Sequence, residues 1–600
     1  MSKVTVTING KTYEAEAGKT ILQVARENNI HIPTLCYLEG VNQYGGCRLC
    51  MVEVESGGKP MRNLQAACMI KISDGMVIKT NTERVRKARK VNLELLLSCH
   101  PKDCLSCSRS LDCELQTLAK QFGITEERFK GERQTIPVDI SAVMTRDMSK
   151  CVNCRRCVAM CNNIQKIGVL NAHNRGFKTV IQPSFGKHIA DTDCTNCGQC
   201  ISVCPVGALR ETDAIAPVIK AIENPAKYVI VQVAPAVRVA IGEPFGMPSG
   251  TVATGKMVTA LKALNFDEVF DVNFGADLTI MEEGTEFLQR AKAALSGGEA
   301  VLPMMTSCSP GWIKFIEHRY PELLDNLSTC KSPHMMQGAL IKTYYAEKLG
   351  KDPKDIYLVS VMPCTAKKFE IIRPEMKENG VRDVDAVLTT RELANMIKQA
   401  GIDLAELPDS DFDPPMGIST GAADIFGVTG GVMEAALRTV YELVTGRPLP
   451  FDDLHVAPLG TSDQIKTAEL TFENVLPEYG FLEGFTAKVV VTSGFDGAAQ
   501  VMEMVKKGEV FHFIEVMGCP GGCIVGGGQP RGVKAEKWAA RKAGIYSIDE
   551  GKTLRKSHEN QALKLVYDEY LGEPCGHRSH EILHTHYTAR GKYNELLRRK

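Results

Sequence analysis

The sequence has no excess of either charge, because Lys plus Arg and Asp plus Glu each number 71 among 600 residues. A basic surface for nucleic acid and an acidic solvating tail are therefore not expected. The chain also lacks the run of about 18 apolar residues that a membrane-spanning helix needs. Its first residues alternate polar and apolar positions and do not resemble a signal peptide. We expect a cytoplasmic protein that binds neither membranes nor nucleic acid.

Cysteine, by contrast, is abundant, with 22 in the chain. A disulfide framework is not expected in a large chain without an export signal, because the cytosol keeps thiols reduced. Metal ligation explains the distribution better, since 16 of the 22 lie between Cys36 and Cys204. The length predicts three or four domains. A long body with few cysteines follows, and its thiols recur at particular loops: Cys308, Cys330, Cys364, Cys519 and Cys523.

Local patterns predict the elements of both parts. Alternating apolar residues around Asn9-Gly10 predict a β-hairpin with a two-residue turn, and helices are predicted from about Thr20 to Asn29 and over 84–98. After residue 225, apolar strands alternate with helices, which predicts α/β units around a largely parallel sheet.

Three cysteines of the body, Cys308, Cys364 and Cys519, each follow an apolar strand and lie in a loop rich in Gly or Pro. Ligands of open α/β sheets bind beyond the carboxyl ends of the strands. We therefore expect three separate segments to converge on one buried metal site.

Four thiols of the first 80 residues, Cys36, Cys47, Cys50 and Cys68, lie in segments that follow the hairpin. Such thiolates suit a 2Fe-2S cluster, whose two irons need backbone that wraps around them. A zinc site and unligated buried thiols are the alternatives. Residues 1–80 resemble a plant-type ferredoxin domain of the β-grasp fold, although their cysteine spacing is looser than in that family.

A second group, His100 with Cys104, Cys107 and Cys113, lies within residues 81–140. A neutral imidazole that replaces one thiolate on a 4Fe-4S cluster changes the charge of the cluster and hence its reduction potential. A histidine beside a helix end is ordinarily a surface residue, but the three cysteines in register favour a ligand. We expect a small 4Fe-4S domain here, with one histidine and three cysteines as ligands.

Residues 141–215 contain the most specific pattern, a Cys-x2-Cys-x2-Cys-x3-Cys run that occurs twice. In bacterial two-cluster ferredoxins the fourth cysteine of each run ligates the other cluster. One predicted ligand set is Cys151, Cys154, Cys157 and Cys204, and the other is Cys194, Cys197, Cys200 and Cys161. Two adjacent 4Fe-4S clusters would form an electron relay.

Three loops of the body resemble the signature loops of iron-only hydrogenases: TSCSPGW at 306–312, MPCTAKKFE at 362–370 and EVMGCPGGCIVGGGQP at 515–530. The order of the upstream sites matches too, so the resemblance covers essentially the whole chain. It implies an enzyme that interconverts protons and electrons with H2. The expected fold is multidomain, α+β and α/β, with three accessory cluster domains followed by a large two-lobed α/β domain at 220–545.

The resemblance also implies the cofactors. An active-site 4Fe-4S cubane would be held by Cys364, Cys519 and Cys523, and Cys523 would bridge it to a di-iron unit with CO and cyanide ligands. One 2Fe-2S cluster and three further 4Fe-4S clusters would feed it with electrons.

Residues around these loops have physical roles of their own. Glycines at 521–528 let the backbone approach a bulky group, and Lys367 offers a donor to an anionic ligand in a dry pocket. Met362 and Met517 provide soft walls, although ordinary packing would explain any one of these residues. Further cofactor contacts are expected at Ala234, Pro235, Pro333, His334 and Phe426.

A proton path to the buried metal is implied in the same way, from Cys308 through Glu283, Ser328 and Glu286 to Arg290. The two glutamates are three residues apart and so share one face of a helix, where carboxylates can pass protons. From spacing alone, a solvated acidic face is the alternative.

The first loop departs from the family, which has two adjacent cysteines where this chain has Cys308 and Ser309. The first usually donates protons and the second ligates the cubane, but a serine hydroxyl is a harder and less acidic ligand than a thiolate. The fourth ligand is therefore open between Ser309, a shifted Cys308 and Cys330, which stands where a small residue is usual. His334, in place of the usual glutamine, fits the same remodelling.

Two other functions are alternatives. The first 210 residues also resemble the cluster-bearing front of the large respiratory NADH dehydrogenase subunit, which lacks the three body loops. A hydrogen sensor or an iron-sulfur assembly factor would keep the catalytic fold without turnover. Sensors tend to add a signalling domain, however, whereas residues 546–600 resemble the separate small subunit of periplasmic hydrogenases.

The expected partners follow from these features. No dinucleotide fingerprint follows a strand and opens a helix, so any NAD(P)H is expected to bind another subunit, with the 2Fe-2S domain as a docking surface. The expected electron partners are ferredoxin or flavin and iron-sulfur subunits that oxidise NAD(P)H. Maturation proteins for the di-iron unit are expected as well.

Overall fold

The computed structural model describes residues 2–378, 380–450, 457–459, 464–532 and 534–591. The chain divides into two compact units. The first comprises Met1–Ile140, Thr145–Ile189 and Val203–Arg210, and the second Ser141–Met144, Ala190–Ser202 and Glu211–Lys600. Among the described helices, none combines the length and the apolarity that a membrane crossing requires.

The first unit opens with a mixed sheet, and the predicted hairpin is confirmed. Asn9 (φ 52°) and Gly10 (φ 84°) supply the left-handed backbone that a tight two-residue turn needs. The sheet is built around a parallel pair of the first strand with the last one. In sheet order the strands are Lys11–Glu16, Lys3–Ile8, Met76–Lys79, Met51–Ser56 and Lys59–Pro60, and Gln65–Ala66 pairs with Met51–Ser56.

Both predicted helices of this unit are confirmed. The first spans Ile21–Glu27 and is shorter than expected, because Thr20 is its N-cap and its side chain accepts from the Gln23 N–H. Asn29, in left-handed backbone (φ 57°), follows its end. The second spans Glu83–Ser98 and is capped by Thr82. Other short elements include Cys104–Ser106, Glu114–Gln121, Arg156–Ala159, Met160–Ile164 and the antiparallel strands Asn171–His173 and Val180–Gln182.

Among the described residues of the second unit, strands and helices alternate as predicted, but the strands form two larger sheets rather than one, besides the short pair Lys377–Glu378 and Val381–Arg382. The first sheet is fully parallel and runs Glu268–Asp271, Tyr228–Val233, Ile356–Met362, Ala386–Thr389. In the second, Met304–Met305, Phe513–Met517 and Thr486–Ser493 are parallel, and Ile465–Thr471 and Ala457–Pro458 complete it antiparallel.

One strand is much shorter than predicted. The segment AVLPMMTS forms only the two-residue strand Met304–Met305, because Pro303 has no N–H to donate to a neighbouring strand. Thr306 nevertheless donates its N–H to the Ile514 carbonyl at 3.0 Å, so the loop with Cys308 still leaves from the carboxyl end of this sheet.

Helices surround both sheets, and the longest, Val272–Leu295, is called the long helix below. It is buried over most of its length, including Glu282, Glu283 and Glu286. The solvated acidic face considered for these glutamates is therefore wrong. The other main helices are Ile215–Ile222, Thr254–Ala263, Pro310–Arg319, Pro333–Leu340, Thr390–Gln399, Gly431–Thr445, Phe495–Lys506, Ala535–Gly551, Gln561–Val566 and His577–Leu583.

Candidate active site

The second unit contains a cavity where the three predicted loops meet. Cys308 and Ser309 come from the first loop, Cys364 from the second, and Cys519 and Cys523 from the third. The other predicted contact residues line the same cavity: Ala234, Pro235, Pro333, His334, Met362, Lys367, Phe426 and Met517. The convergence of separate strand ends on one pocket is confirmed.

Three sulfurs of this cavity lie in a dry environment. Burial raises the pKa of the Cys364 and Cys519 thiols, and it raises the pKa of Cys523 to about 12. Thiols that are costly to ionise alone become favourable as ligands, because a metal cluster compensates their charge. The donor set therefore fits a thiolate-bound iron-sulfur cubane.

Glycines of the third loop make close contacts with the backbone of other segments, which is a more specific role than the predicted approach to a bulky group. A Cβ at Gly526 would lie 2.3 Å from the Pro363 carbonyl oxygen, and one at Gly522 would lie 2.6 Å from the Thr429 nitrogen. Such approaches exclude any side chain. These glycines thus let the third loop pack against the backbone of the second loop and of residue 429, which brings the cysteines of different segments together.

The first loop brings both Cys308 and Ser309 to the cavity. The Ser309 hydroxyl accepts the Gly518 N–H at 3.3 Å, next to Cys519. Burial raises the pKa of Cys308 well above its ordinary value, and Glu283 raises it further, whereas Lys367 opposes the shift. The Cys308 thiol thus feels opposing charges from Glu283 and Lys367.

Cys330 does not lie where the migrated-ligand hypothesis needs it. It is fully buried and outside the described lining of the cavity, and its sulfur lies 3.9 Å from Nδ1 of His584. The loop after Leu327 turns this side chain toward the C-terminal segment. Among the three candidates for the fourth cubane ligand, the geometry favours Ser309 and Cys308.

Lys367 and His334 share one carboxylate, that of Glu370. Lys367 Nζ lies 2.7 Å from Glu370 Oε2 and donates to the Cys308 carbonyl at 3.1 Å. Burial opposes ionisation of Glu370, but the charge of Lys367 and the hydrogen bond from His334 outweigh it and lower its pKa to about 2. Burial and then Lys367 lower the pKa of His334 to about 4, so His334 is neutral and donates from Nε2 at 2.8 Å. His334 thus fixes Lys367 indirectly.

Three of the predicted proton-path residues, Ser328, Glu286 and Arg290, are joined by hydrogen bonds, and Glu283 is buried one helical turn from Glu286. Ser307 donates to Glu283 at 3.3 Å, and Ser328 donates to Glu286 at 3.0 Å. Arg290, half-buried, donates to Glu286 at 2.6 Å. Burial and then the charge of Glu286 raise the pKa of Glu283 to about 7, so this group holds or releases a proton near neutral pH. Its Oε2 has no hydrogen-bond partner among the described residues.

Models of known families match most of the chain. The iron only hydrogenase large subunit, C-terminal domain, matches residues 227–527, and the iron hydrogenase small subunit matches 535–590. Upstream, a 2Fe-2S iron-sulfur cluster binding domain matches 1–83, the NADH-ubiquinone oxidoreductase-G iron-sulfur binding region 89–128, and a 4Fe-4S dicluster domain 130–208.

Relatives match over their whole length. The NADP-reducing hydrogenase subunit HndD of Solidesulfovibrio fructosivorans is 52% identical, over 98% of this chain and 100% of its own. The chain belongs to the iron-only hydrogenase family. Iron hydrogenase 1 of Clostridium pasteurianum is 43% identical, over 97% of this hydrogenase and 99% of its own length. A solved structure of the FeFe hydrogenase HydA1 of Chlamydomonas reinhardtii is similar with a TM-score of 0.57 and 44% identity, over 63% of this chain and 99% of that one.

These findings confirm the predicted function. Iron-only hydrogenases are oxidoreductases that act on hydrogen, and the accessory iron-sulfur domains of this hydrogenase support an electron relay to the active site. The likeness of its front to a respiratory NADH dehydrogenase subunit is real, but it covers the accessory part alone.

The first accessory group of this hydrogenase is assembled within the first unit. The Cys50 and Cys68 sulfurs lie 3.4 Å apart, and a hydrogen bond with Cys36 lowers the pKa of Cys47 to about 6. The four thiols predicted for a 2Fe-2S cluster thus form two contacting pairs.

His100 also belongs to the first unit. Burial lowers its pKa to about 4, so the imidazole is neutral, as a ligand must be. Its Nδ1 is buried and has no hydrogen-bond partner among the described residues. Cys104 is exposed, and Cys107 and Cys113 are half-buried.

The two cysteine runs are distributed over both units. Cys151, Cys154, Cys157 and Cys204 lie in the first, and burial with the nearby Cys204 raises the pKa of Cys151 to about 12. Of the other set, Cys161 lies in the first unit and Cys194, Cys197 and Cys200 in the second. Both ligand sets stay predictions.

Two functional contacts were missed from the sequence. Gln199, in the spacer before Cys200, donates its amide to the Cys519 sulfur at 3.2 Å and to the Val525 carbonyl at 2.8 Å. Glu282, beside Glu283, is fully buried and binds the C-terminal segment through His584. Nothing in the sequence marks Gln199, which stands between two cysteines of a cluster run, as a contact of Cys519. Glu282 could have been singled out, because it stands directly beside Glu283.

Proposed function

We propose that this hydrogenase holds a 4Fe-4S cubane on Cys364, Cys519 and Cys523, with Cys523 shared with a di-iron unit that bears CO and cyanide. When bound, this group supplies the metal centre where protons and electrons are interconverted with H2. The observation that carries the proposal is the single dry cavity into which three separate loops bring these thiols. Met362, Met517, Ala234, Pro235, Pro333 and Phe426 would form its apolar walls.

Ser309 is our choice for the fourth cubane ligand, and Cys308 for the proton donor. Ser309 lies in the cavity beside Gly518, and Cys308 is the thiol close to the carboxylate of Glu283. Because a thiol is a stronger acid than a hydroxyl, the role of proton donor suits Cys308 better than Ser309. Lys367, whose three N–H groups contact the Cys308 carbonyl, Ser332 and Glu370, would place its positive charge beside an anionic ligand of the di-iron unit.

Protons would travel along the long helix, from Arg290 through Glu286, Ser328 and Glu283 to Cys308. Proton transfer requires groups within hydrogen-bond reach and with pKa values near the working pH. The Ser328 hydroxyl contacts Glu286 at 3.0 Å, and Glu283 has a pKa of about 7.

The accessory clusters would form the electron path. We propose one 2Fe-2S cluster in a β-grasp domain at 1–80, one 4Fe-4S cluster on His100, Cys104, Cys107 and Cys113 at 81–140, and two 4Fe-4S clusters at 141–215. The catalytic domain would span 220–545, and the small-subunit segment 546–600. With the active site, the total is about 20 iron atoms.

The electron partner that we propose is a subunit that binds NADP(H), because a relative of the same length is an NADP-reducing hydrogenase subunit. The 2Fe-2S domain would dock it, since this chain shows no dinucleotide fingerprint of its own. Ferredoxin is the alternative electron partner. Maturation proteins would deliver the di-iron unit. A reducing compartment, the cytoplasm, suits so many thiolate ligands.

The test uses matured, anaerobically purified protein. We expect H2 evolution and oxidation, infrared bands from CO and cyanide, and about 20 irons. Four variants then show which residue ligates the cubane and which one donates protons. Ser309→Ala is expected to labilise the cubane and Ser309→Cys to retain it, whereas Cys308→Ala is expected to retain the cubane and lose turnover, and Cys330→Ala to retain it. Absence of the infrared bands in active protein would refute the proposal.

A further inference from the structure

Three buried side chains converge behind the proposed proton path, and the function described above uses only one of them. They are Glu286 of the long helix, Cys330 of the following loop and His584 of the C-terminal segment. One ligand atom from each lies within 4.8 Å of the others. Cys330 and His584 are also neighbours in a β-bridge, which fixes their backbones relative to each other.

The chemistry of this donor set selects a class of ion. Imidazole nitrogen, thiolate sulfur and carboxylate oxygen together are typical of Zn²⁺ and similar borderline cations, whereas Ca²⁺ and Mg²⁺ require oxygen ligands. Zn²⁺ binds such atoms at about 2.0–2.3 Å, so small side-chain shifts bring all three to one ion. A water or the Thr329 hydroxyl, which lies 2.8 Å from His584 Nδ1, would complete a tetrahedron.

A neighbouring carboxylate already orients the histidine. Glu282 Oε2 lies 3.0 Å from His584 Nε2, which leaves Nδ1 directed at the Thr329 hydroxyl and the Cys330 sulfur. A carboxylate on the far nitrogen of a ligating histidine is the usual outer partner at metal sites, where it fixes the ring and increases its basicity.

Glu282 itself is unsuited as a ligand, although Glu282, Cys575 and His584 form a second close triad. Its carboxylate accepts from Tyr567 at 2.5 Å, from the Cys575 N–H at 2.7 Å and from Ser579 at 2.6 Å, besides His584. An oxygen pair with four donors has no free lone pair for an ion, whereas Glu286 accepts from three groups, Arg290, Ser328 and the Thr329 N–H.

We propose that Glu286, Cys330 and His584 form a Zn²⁺ site that inhibits hydrogen turnover by withdrawing Glu286 from the proton path. The ion would replace the Thr329 hydroxyl at His584 Nδ1, displace the Cys330 thiol proton and compete with Arg290 for the Glu286 carboxylate. It would enter where protons enter, at the half-buried Arg290. The inhibitory effect rests on the proposed proton path, whereas binding of the ion does not.

The test adds zinc chloride to the holoenzyme and compares each variant with its own zinc-free rate. We expect inhibition in both directions of turnover, reversed by a chelator. Cys330→Ala and His584→Ala are expected to raise the inhibitory zinc concentration at least about tenfold, since each removes one ligand. Cys575→Ala, which alters the neighbouring triad, is the matched control and is expected to keep zinc sensitivity.

Zinc K-edge X-ray absorption gives a readout that is independent of turnover. The expected first shell contains one sulfur at about 2.3 Å together with nitrogen and oxygen, and the sulfur is expected to disappear in Cys330→Ala. A shell of several sulfurs would mean zinc in a cluster position and overturn the site. If the expected zinc ligands are found but turnover is not inhibited, the zinc site is supported and the proton path through Glu286 is refuted. Unchanged zinc sensitivity in both ligand variants would overturn the proposal.

Discussion

The amide of Gln199 donates a hydrogen bond to the sulfur of Cys519 at 3.2 Å. Gln199 precedes Cys200, a proposed ligand of the accessory cluster, whereas Cys519 is a proposed ligand of the active-site cubane. One side chain therefore joins the backbone of an accessory ligand to a ligand of the catalytic centre.

This contact predicts a change in potential. A donor at a ligand sulfur stabilises the reduced, more negative cluster, so Gln199→Leu is expected to shift the cubane potential downward. One hydrogen bond of about 1–2 kcal/mol corresponds to about 40–90 mV. Redox titration followed by electron paramagnetic resonance measures the shift, and iron content is the control for intact clusters. An unchanged potential at full iron content would contradict the role.

Glu283→Gln tests proton transfer, because it removes the titrating group and little volume. Turnover is expected to fall by about 10²–10⁴, while the CO and cyanide infrared bands stay in place. Glu299→Gln, on an exposed residue, is the matched control. Full activity in Glu283→Gln would show that protons enter elsewhere.

The raised pKa of Glu283 also predicts a pH effect on stability. Its folded pKa of about 7 lies above the ordinary 4.5, so the protonated group contributes stability that is complete below pH 4.5 and is lost as the pH rises through 7. Relative to Glu283→Gln, the wild type is thus expected to lose about 3 kcal/mol between acid and alkaline conditions. Thermal unfolding of both proteins at pH 5.5 and pH 8, an interval that covers about 2 kcal/mol of this loss, measures the difference. An equal change in melting temperature for the two proteins would contradict the prediction.

His334 predicts a contrast between two substitutions. Its ring contacts Ser360 at 3.1 Å and Glu370 at 2.8 Å in a fully buried place. His334→Leu removes one hydrogen bond from each partner, while Gln232 still donates to Ser360 and Lys367 still pairs with Glu370, and it is expected to cost about 1–3 kcal/mol. His334→Gln can keep both contacts and is expected to cost less. The difference in melting temperature measures this, and equal losses would mean that volume alone matters.

His100 predicts a change of charge at an accessory cluster. His100→Cys replaces a neutral ligand by an anionic one and is expected to retain the cluster with a more negative potential, whereas His100→Ala is expected to lose or alter it. His31→Ala, on an exposed histidine, is the control. An unchanged spectrum and iron content in His100→Ala would exclude His100 as a ligand.

Spacing along the chain predicted the active site well where function depends on strand ends. Cys364 and Cys519 follow buried strands, and parallel strands deliver such loops to one edge. It predicted Cys330 poorly, because the direction of a side chain in a loop depends on what packs against that loop. Its neighbour His584 lies 254 residues away, and no periodicity carries information over that distance. The same holds for Gln199, whose partner is 320 residues away.

The buried carboxylate of Glu282 has a consequence for synthesis of the chain. All four of its donors, from Tyr567 to His584, follow it by 285 to 302 residues. At ribosomal rates of about 5–20 residues per second, these donors are synthesised roughly 15–60 s after Glu282. During that time Glu282 needs water or a chaperone beside it, because a bare charge in an apolar interior is costly. Closure of this face of the catalytic unit is thus a late, post-translational step, and a chain cut before Tyr567 would remain open there.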